Sequence, residues 1–460
     1  MNKTSISIAL VLALSLTACI DDGEDGQQGA DGAAGADGTD GVSVYVTRDD
    51  VVTSNANIAY AAYADSLISA QSMRDVLEAF VAEPTESNFT AAKQAWLDSR
   101  EPYGQTEVYR FRVGPIDALT TDEAGEYILG EEGDGPEGRI NAWPLGEALI
   151  DYVADTVDGD EGDGLSGSNI IADTTTYPII DAATISELFE YEGEEANVTT
   201  GYHAIEFLLW GQDLNADLTG TGSRDATAGQ RTVSDFTNVS GECTSGSDIV
   251  ADEICTRRGD YLLAAADVLI DDLTTVVEAW EPVTGFHYAD FVAGGDTSLA
   301  LIFEGMGRLS YGELAGERIN IALTTDSQED EHSCFSDNTH RDIFLNAKGV
   351  QNSFNASYTR IDGEVVEGAS PYDLLVVEGE PELANNLRAA LEATMAAATV
   401  IDTKAETGTP FDNLIQEGIA QENVVAVIQA LDTQTGYIED SIDALGITTN
   451  DIYQDTEEEF

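Results

Sequence analysis

The sequence predicts an all-α fold built of helical bundles. Three observations carry this expectation: apolar residues recur at helical spacing over long stretches, Pro and Gly punctuate those stretches at their ends, and few segments alternate with period two. Hydrophobic residues make up 42% of 460, which is enough for sizeable cores and, by length, for two or three domains.

Residues 1–18 read as a secretory signal peptide. Lys3 is the early positive charge, and an apolar run from Ile6 to Leu16 follows, too short to span a bilayer. Leu16-Thr17-Ala18-Cys19 resembles the lipobox of bacterial lipoproteins, which implies cleavage before Cys19 and a lipid anchor on it. By the same resemblance, Ile20 in the second mature position implies sorting to the outer membrane. Residues 19–50 continue as a tether in which glycine returns every third residue from Gly23 to Gly41. The period is that of collagen, but the stretch is short and has no proline, so a flexible acidic linker is expected.

Helices follow in order. Ile58, Ala61, Ala62, Leu67, Ile68, Val76, Leu77 and Phe80 share a period near that of the α-helix, and Pro84 ends the run. A second helix begins over Phe89 to Leu97. Two Gly/Asp-rich insertions, Gly130 to Gly138 and Asp155 to Gly167, read as loops. Leu262, Ala266, Leu269, Leu273, Val276, Val277 and Trp280 form one stripe, closed by Pro282. A long helix is expected over Thr297 to Leu323, and an antiparallel pair over Pro381 to Val400 and Glu422 to Leu445. Pro282 and Gly285 suggest a division into a domain over 51–285 and another over 286–460.

The formal net charge of −68 repels nucleic acid and anionic membrane surfaces and concentrates cations. Most of that charge is accounted for by a solvated surface. With Cys19 assigned to lipid, Cys243 and Cys255 flank a Ser/Gly/Asp loop and can form a local disulfide in an oxidising compartment. Cys334 is left over.

Gly201-Tyr202-His203-Ala204-Ile205-Glu206-Phe207-Leu208-Leu209-Trp210-Gly211 is the most informative segment. It reads as a short helix that Asn197, Thr199 or Thr200 could cap, with His203 and Glu206 three apart on one face. An imidazole and a carboxylate so placed can chelate Fe, Zn or Cu. Read from spacing alone, the pair describes a structural His–Glu hydrogen bond before it describes a chelate, because His-x-x-Glu is not a specific pattern. A second cluster, Glu329-Asp330-Glu331-His332 with Asp337 to His340, offers two imidazoles, several carboxylates and a thiol; its plain reading is an acidic loop between helices, capped by Ser336 or Asp337. Arg100, Arg110 and Arg112 stand out among only 19 cations, as buried partners for Asp or Glu or as an anion-recognition set. His287 reads as structural.

Gly-x-His-x-x-Glu within GYHAIEFLLWGQD strongly resembles the signature of the imelysin family, also called insulin-cleaving membrane proteases and iron-regulated proteins. Trp96-x-x-x-Arg100-x-Pro102-Tyr103, Arg110-Phe111-Arg112-Val113-Gly114-Pro115, Asn141-Ala142-Trp143-Pro144, Arg257-Arg258-Gly259-Asp260-Tyr261-Leu262 and Gly316-Glu317-Arg318 look right for the same family. The run from Glu329 to His340 is similar to its iron-regulated subgroup. The resemblance implies a two-domain all-α fold, export, and a link to iron uptake. His203 and Glu206 carry over as the motif residues, with Glu331, His332 and His340 as further candidate metal ligands. The implied cofactor is a metal ion, iron first and zinc second; the implied partners are that ion or a ligand carrying it, and a membrane transporter, with no nucleic acid and no membrane contact beyond the lipid anchor.

A metallopeptidase of the imelysin type and a helical module that docks a transporter are the rival functions. The peptidase reading is weakened because no His-Glu-x-x-His occurs and the chain has only four histidines. Asp213-x-Asn215-x-Asp217 opens like a calcium loop but has Leu218 where Gly is needed and Arg224 where Glu is needed. No phosphate-binding loop, dinucleotide fingerprint or serine-hydrolase elbow is present.

Overall fold

The computed structural model describes residues 45–153, 169–218 and 223–453. The signal peptide, Cys19, the tether as far as residue 44 and the insertion over 155–167 lie outside them, whereas residues 48–50, expected to belong to the tether, are already helical. From Tyr45 onward the described residues form one compact unit.

Helix α1 (Arg48–Ala82) starts at a capping box, in which the Thr47 hydroxyl and the Asp50 carboxylate each accept from the other's backbone N–H. It stops before Pro84, whose ring disfavours helical backbone in the residue ahead of it. Helix α2 (Glu86–Tyr103) is capped by Thr85 and packs along α1. Helix α3 (Gly201–Trp210) is buried from end to end and lies between α2 and α4 (Asp252–Trp280), which also packs on α1. Helix α5 (Asp296–Arg308), helix α6 (Thr339–Asn355), helix α7 (Pro381–Glu406) and helix α8 (Gln421–Leu445) complete the framework. Among them α7 packs on α8 and α6. Cys243 and Cys255 are joined by a disulfide of S–S length 2.10 Å.

The turn over 281–285 expected to divide the chain is present, but helices on both sides of it feed one core. Helix α1 touches α5, the short helix Phe286–Ala293 and the hairpin of Ser357–Thr359 with Val365–Glu367. Two further two-stranded hairpins, Leu119–Thr121 with Tyr127–Leu129 and Thr244–Ser245 with Asp248–Ile249, are the other strands among the described residues.

The long helix expected over 297–323 is present but changes type in its middle. From Leu309 to Asn320 it is a π-helix, and Ile321–Thr325 returns to α. In an α-helix, residues five apart lie roughly 140° apart around the axis. The wider π turn, closed by bonds to the fifth residue, brings Glu313 under Arg318. The Arg318 Nε then donates to Glu313 Oε1 at 2.8 Å while its Nη2 donates to Glu107 Oε2 at 2.8 Å. Helix α6 begins inside the run expected to be loop: Asn338, rather than Ser336 or Asp337, precedes its first turn.

Candidate functional site

Helix α3 owes its position to a glycine. Gly201 has φ +84°, and a Cβ there would lie 2.5 Å from the Ile140 carbonyl oxygen and 2.7 Å from that of Arg139. Neither threonine before it caps the helix by its side chain. Thr200 instead donates to Arg139 O at 2.9 Å, Thr199 to Ile185 O at 2.7 Å, and Asn197 to Tyr191 O at 2.8 Å. These bonds pin the entry of α3 against the segment Glu137–Asn141, which also carries a site residue. Replacing Gly201 with alanine is therefore expected to destabilise the protein by about 2–3 kcal/mol, from a left-handed backbone and a backbone clash together. Urea unfolding would measure it, and a change below about 0.5 kcal/mol would mean that the close approach is not needed.

His203 and Glu206 face each other on α3 as expected, with Nδ1 to Oε2 at 2.8 Å. The other oxygen of Glu206 accepts from the backbone N–H of Ser336 at 3.0 Å and from its hydroxyl at 2.6 Å. Both residues are fully enclosed, at 2% and 0% exposure. Burial pushes Glu206 up to about 8, against the pull of Ser336. Burial first, and then Arg100, hold His203 well below its usual value.

The second cluster reaches the first through His332. Its ring stands 4.8 Å from that of His203 and 4.2 Å from that of Trp143. The surrounding bonds assign its tautomer. Asn141 accepts from Arg100 Nη1 through Oδ1, so its amide nitrogen is the donor to His332 Nε2 at 3.2 Å. With Nε2 accepting from Asn141, Nδ1 carries the proton and faces Asp342 Oδ2 at 3.1 Å, with Arg100 Nη2 standing 3.4 Å from the same nitrogen. Asp342 also receives Arg100 Nη2 at 2.7 Å and the Ser333 hydroxyl. Burial would raise Asp342, but Arg100 and His332 outweigh it and hold the carboxylate well below its usual range. Burial and then Arg318, whose guanidinium lies 5.0 Å from the Trp143 ring centroid, keep His332 neutral.

Between these groups lies a small cavity of about 10 Å³, lined by residues that include Trp143, His203, Glu329, Glu331, His332 and Cys334. That is room for about one water-sized sphere. His203 Nε2 is buried with no partner, and neither oxygen of Glu331 has one in hydrogen-bond geometry. Burial, and after it Asp412, Asp337 and Asp213, push Glu331 well above the usual carboxylate range. Burial also raises the Cys334 thiol.

The donor chemistry fits a borderline divalent ion: an imidazole nitrogen, a carboxylate and a thiol are all at hand. Their positions do not form a ready chelate, since among the described residues no three His, Cys, Asp or Glu side chains come close enough to hold a metal. His340 is engaged elsewhere, with Nδ1 donating to Asp337 O at 2.8 Å and Nε2 lying 3.8 Å from Asp402 of α7.

The arginines expected to be ion-paired mostly are. Arg100 pairs with Asp342, and Arg110 with Glu313 at 3.0 Å. Arg112 differs, donating to Asn55 Oδ1 at 2.5 Å and to Ser353 Oγ at 3.0 Å. Asp342, Asn141 and Trp143 were not singled out as site residues, and Ser336 only as a cap, because the separate segments that carry them are joined by packing alone. The sequence carried one usable signal: Asn141 and Trp143 stand in a stretch that looks right for the family.

The family model described as imelysin matches residues 59–438. Among solved structures, an iron-regulated protein A precursor from Parabacteroides distasonis aligns with TM-score 0.58 and 16% identity, over 87% of this chain and 97% of its own. An imelysin-like protein from Psychrobacter arcticum aligns with TM-score 0.50 and 15% identity, over 88% of this chain and 98% of its own. No curated protein matches.

Proposed function

This chain belongs to the imelysin family, and from that premise we propose that it is an exported, lipid-anchored protein of the cell envelope that binds iron, or another metal or a ligand carrying it, and assists iron acquisition. The observation that carries the reading is the pair of enclosed donor groups without hydrogen-bond partners, His203 Nε2 and the Glu331 carboxylate, on residues that line one small cavity. Buried polar groups are nearly always satisfied, and an ion or a water is the usual partner when the protein supplies none. His203 and Glu331 would be the primary ligands, with Cys334 next to them. With its carboxyl ionised in the metal-bound protein, Glu206 would accept from His203 Nδ1–H and so leave the Nε2 lone pair toward the ion. His332, whose two nitrogens are bonded to Asn141 and Asp342, would shape the wall.

The solved relative named as an iron-regulated protein supports the iron link. The strongly negative surface supports cation capture, since such a field raises the local cation concentration. No described helix is long and apolar enough to cross a membrane, so the proposed anchor is the lipid on Cys19. The cavity volume works against peptide cleavage at this place, because a scissile peptide bond needs far more than one water-sized space.

The test is metal content and affinity of the purified full chain, stripped with chelator and titrated with Fe(II) under anaerobic conditions and with Zn(II). One equivalent is expected in the wild type, weakened at least about tenfold in His203→Ala and in Glu331→Gln, since each removes a direct ligand. Glu206→Ala should weaken binding less than His203→Ala. Wild-type protein that takes up neither ion, or variants that bind as well as wild type, would defeat the proposal.

A further inference from the structure

The small cavity beside His203 has a solvent side and an inner side, and the two differ in charge. Among its lining residues His203, Glu331, His332 and Cys334 are buried, whereas Pro144 is exposed and Trp143 and Glu329 are half-buried. The way in from solvent therefore runs between Pro144, Trp143 and Glu329, and of these three only Glu329 carries a charge.

Glu329 and Glu331 belong to one turn, closed by the Glu331 N–H on the Gln328 carbonyl at 3.0 Å. Gln328 Nε2 donates to Asp213 O at 2.7 Å, which ties the turn to the chain just past α3. Both glutamates line the cavity, Glu329 on the solvent side and Glu331 at 2% exposure with neither oxygen partnered. A cation taken up by Glu329 thus finds its next carboxylate two residues along the chain.

The surroundings of the turn are acidic. Asp412 is 1% exposed and leaves Oδ1 unpartnered, and its charge is the strongest of those acting on Glu331. Burial, and then Asp337, Asp412 and Glu329, push Asp213 up to about 10. Acids packed in this way repel one another, and a cation placed among them relieves the repulsion. The inner side of the cavity is basic. Arg100 Nη2 stands 3.4 Å from His332 Nδ1, and the Arg318 guanidinium lies 5.0 Å from the Trp143 ring centroid. Asp342, Glu107 and Glu313 pair with these two arginines, yet both still act against a positive charge at the imidazoles of His203 and His332. An ion moving inward meets carboxyls first and guanidiniums last, so it is drawn as far as Glu331 and His203 and stopped there.

From this arrangement we propose that Glu329 is the entry carboxylate of the site: a divalent cation passes between Pro144 and Glu329, is held briefly by Glu329, and moves on to Glu331 and His203. The proposal rests on the metal reading of this cavity and adds to it the route and the residue that sets the rate.

The experiment follows Co(II), whose visible absorption reports its ligands, in stopped-flow uptake by the chelator-stripped full chain and in release to excess EDTA. Glu329→Gln is expected to slow uptake and release together by at least about fivefold, the effect of one charge acting at close range, while the dissociation constant stays within about twofold of wild type. Glu329→Asp should restore most of the rate, which a role in packing alone would not explain, and it keeps the test decisive should Glu329→Gln not fold. His203→Ala should instead lose affinity through faster release. Rates unchanged in Glu329→Gln would place the entry elsewhere, and weaker binding through faster release would make Glu329 a ligand; either result overturns the proposal. Wild-type protein that takes up no Co(II) would defeat the metal reading itself, and the route with it.

Discussion

Replacing Asp342 with alanine is expected to lower the unfolding free energy by about 3–5 kcal/mol, the range found when one partner of a buried ion pair is removed. The carboxylate is 1% exposed and serves Arg100, His332 and the Ser333 hydroxyl together. Without it, the Arg100 guanidinium stays enclosed among Tyr202, Tyr103 and Asn141 with no counter-charge. Water cannot enter to compensate, because Arg100 is itself 1% exposed. His332 would also lose the acceptor that fixes its tautomer, so metal affinity should fall along with stability. Asp342→Asn preserves the shape and one acceptor, and should cost less than the alanine variant. Urea unfolding of the three proteins provides the comparison, and a loss under about 1 kcal/mol for Asp342→Ala would show that Arg100 finds another anion.

The second large effect is a fall in stability as pH rises from about 5 to 7, measured in chelator. Several enclosed carboxyls have folded pKa values raised above those of the unfolded chain. Glu206 and Asp337 are pushed up to about 8 and Asp213 to about 10, in each case chiefly by burial. Between the unfolded value near 4 and the folded value, the unfolded chain has released the proton while the folded protein retains it. The unfolded state then binds fewer protons, and each such group lowers stability by roughly 1.4 kcal/mol per pH unit. With partial compensation the three together should remove at least about 3 kcal/mol between pH 5 and 7. The opposite limb lies at low pH. Glu313 is buried but held down to about 2 by Arg110 and Arg318, and Asp342 lies well below its usual range, so their contributions disappear as pH falls below about 4. Stability should therefore peak near pH 4 to 5. A bound divalent cation favours the ionised carboxyls and should flatten the fall between pH 5 and 7. A flat profile in chelator would mean that these acids are ionised and paired in the folded protein.

How much was legible depended on the range of the interaction that set each feature. The end of α1 could be read at Pro84 and the end of α4 at Pro282, because a proline acts on its immediate neighbours. The His203–Glu206 contact could be read from spacing, because residues three apart on a helix are adjacent whatever surrounds them. The caps expected from Asn197, Thr199 and Thr200 were misread for the converse reason. Their side chains had partners outside the helix, Asn197 on Tyr191, Thr199 on Ile185 and Thr200 on the remote Arg139, and those bonds replaced the capping ones. The π-helical stretch left no mark in the apolar pattern, since widening the turn by one residue needs only the tertiary Glu313–Arg318–Glu107 cluster to favour it.

By itself the sequence determined the helical class, most of the long helices but not α6, and the pairing of His203 with Glu206, all consequences of local periodicity, proline and glycine. Its family motifs also pointed to imelysin, the family whose model matches the chain. Only the tertiary structure decided that His332 meets His203, that Asp342 and Asn141 lie against its two ring nitrogens, that His340 turns away to Asp337 and Asp402, and that Arg231 is enclosed against Asp151 with two of its nitrogens unpartnered. The physical reason is common to all four. Whether a buried polar atom is satisfied depends on what other segments bring within about 3 Å of it, and a linear pattern of residue types carries no measure of that distance.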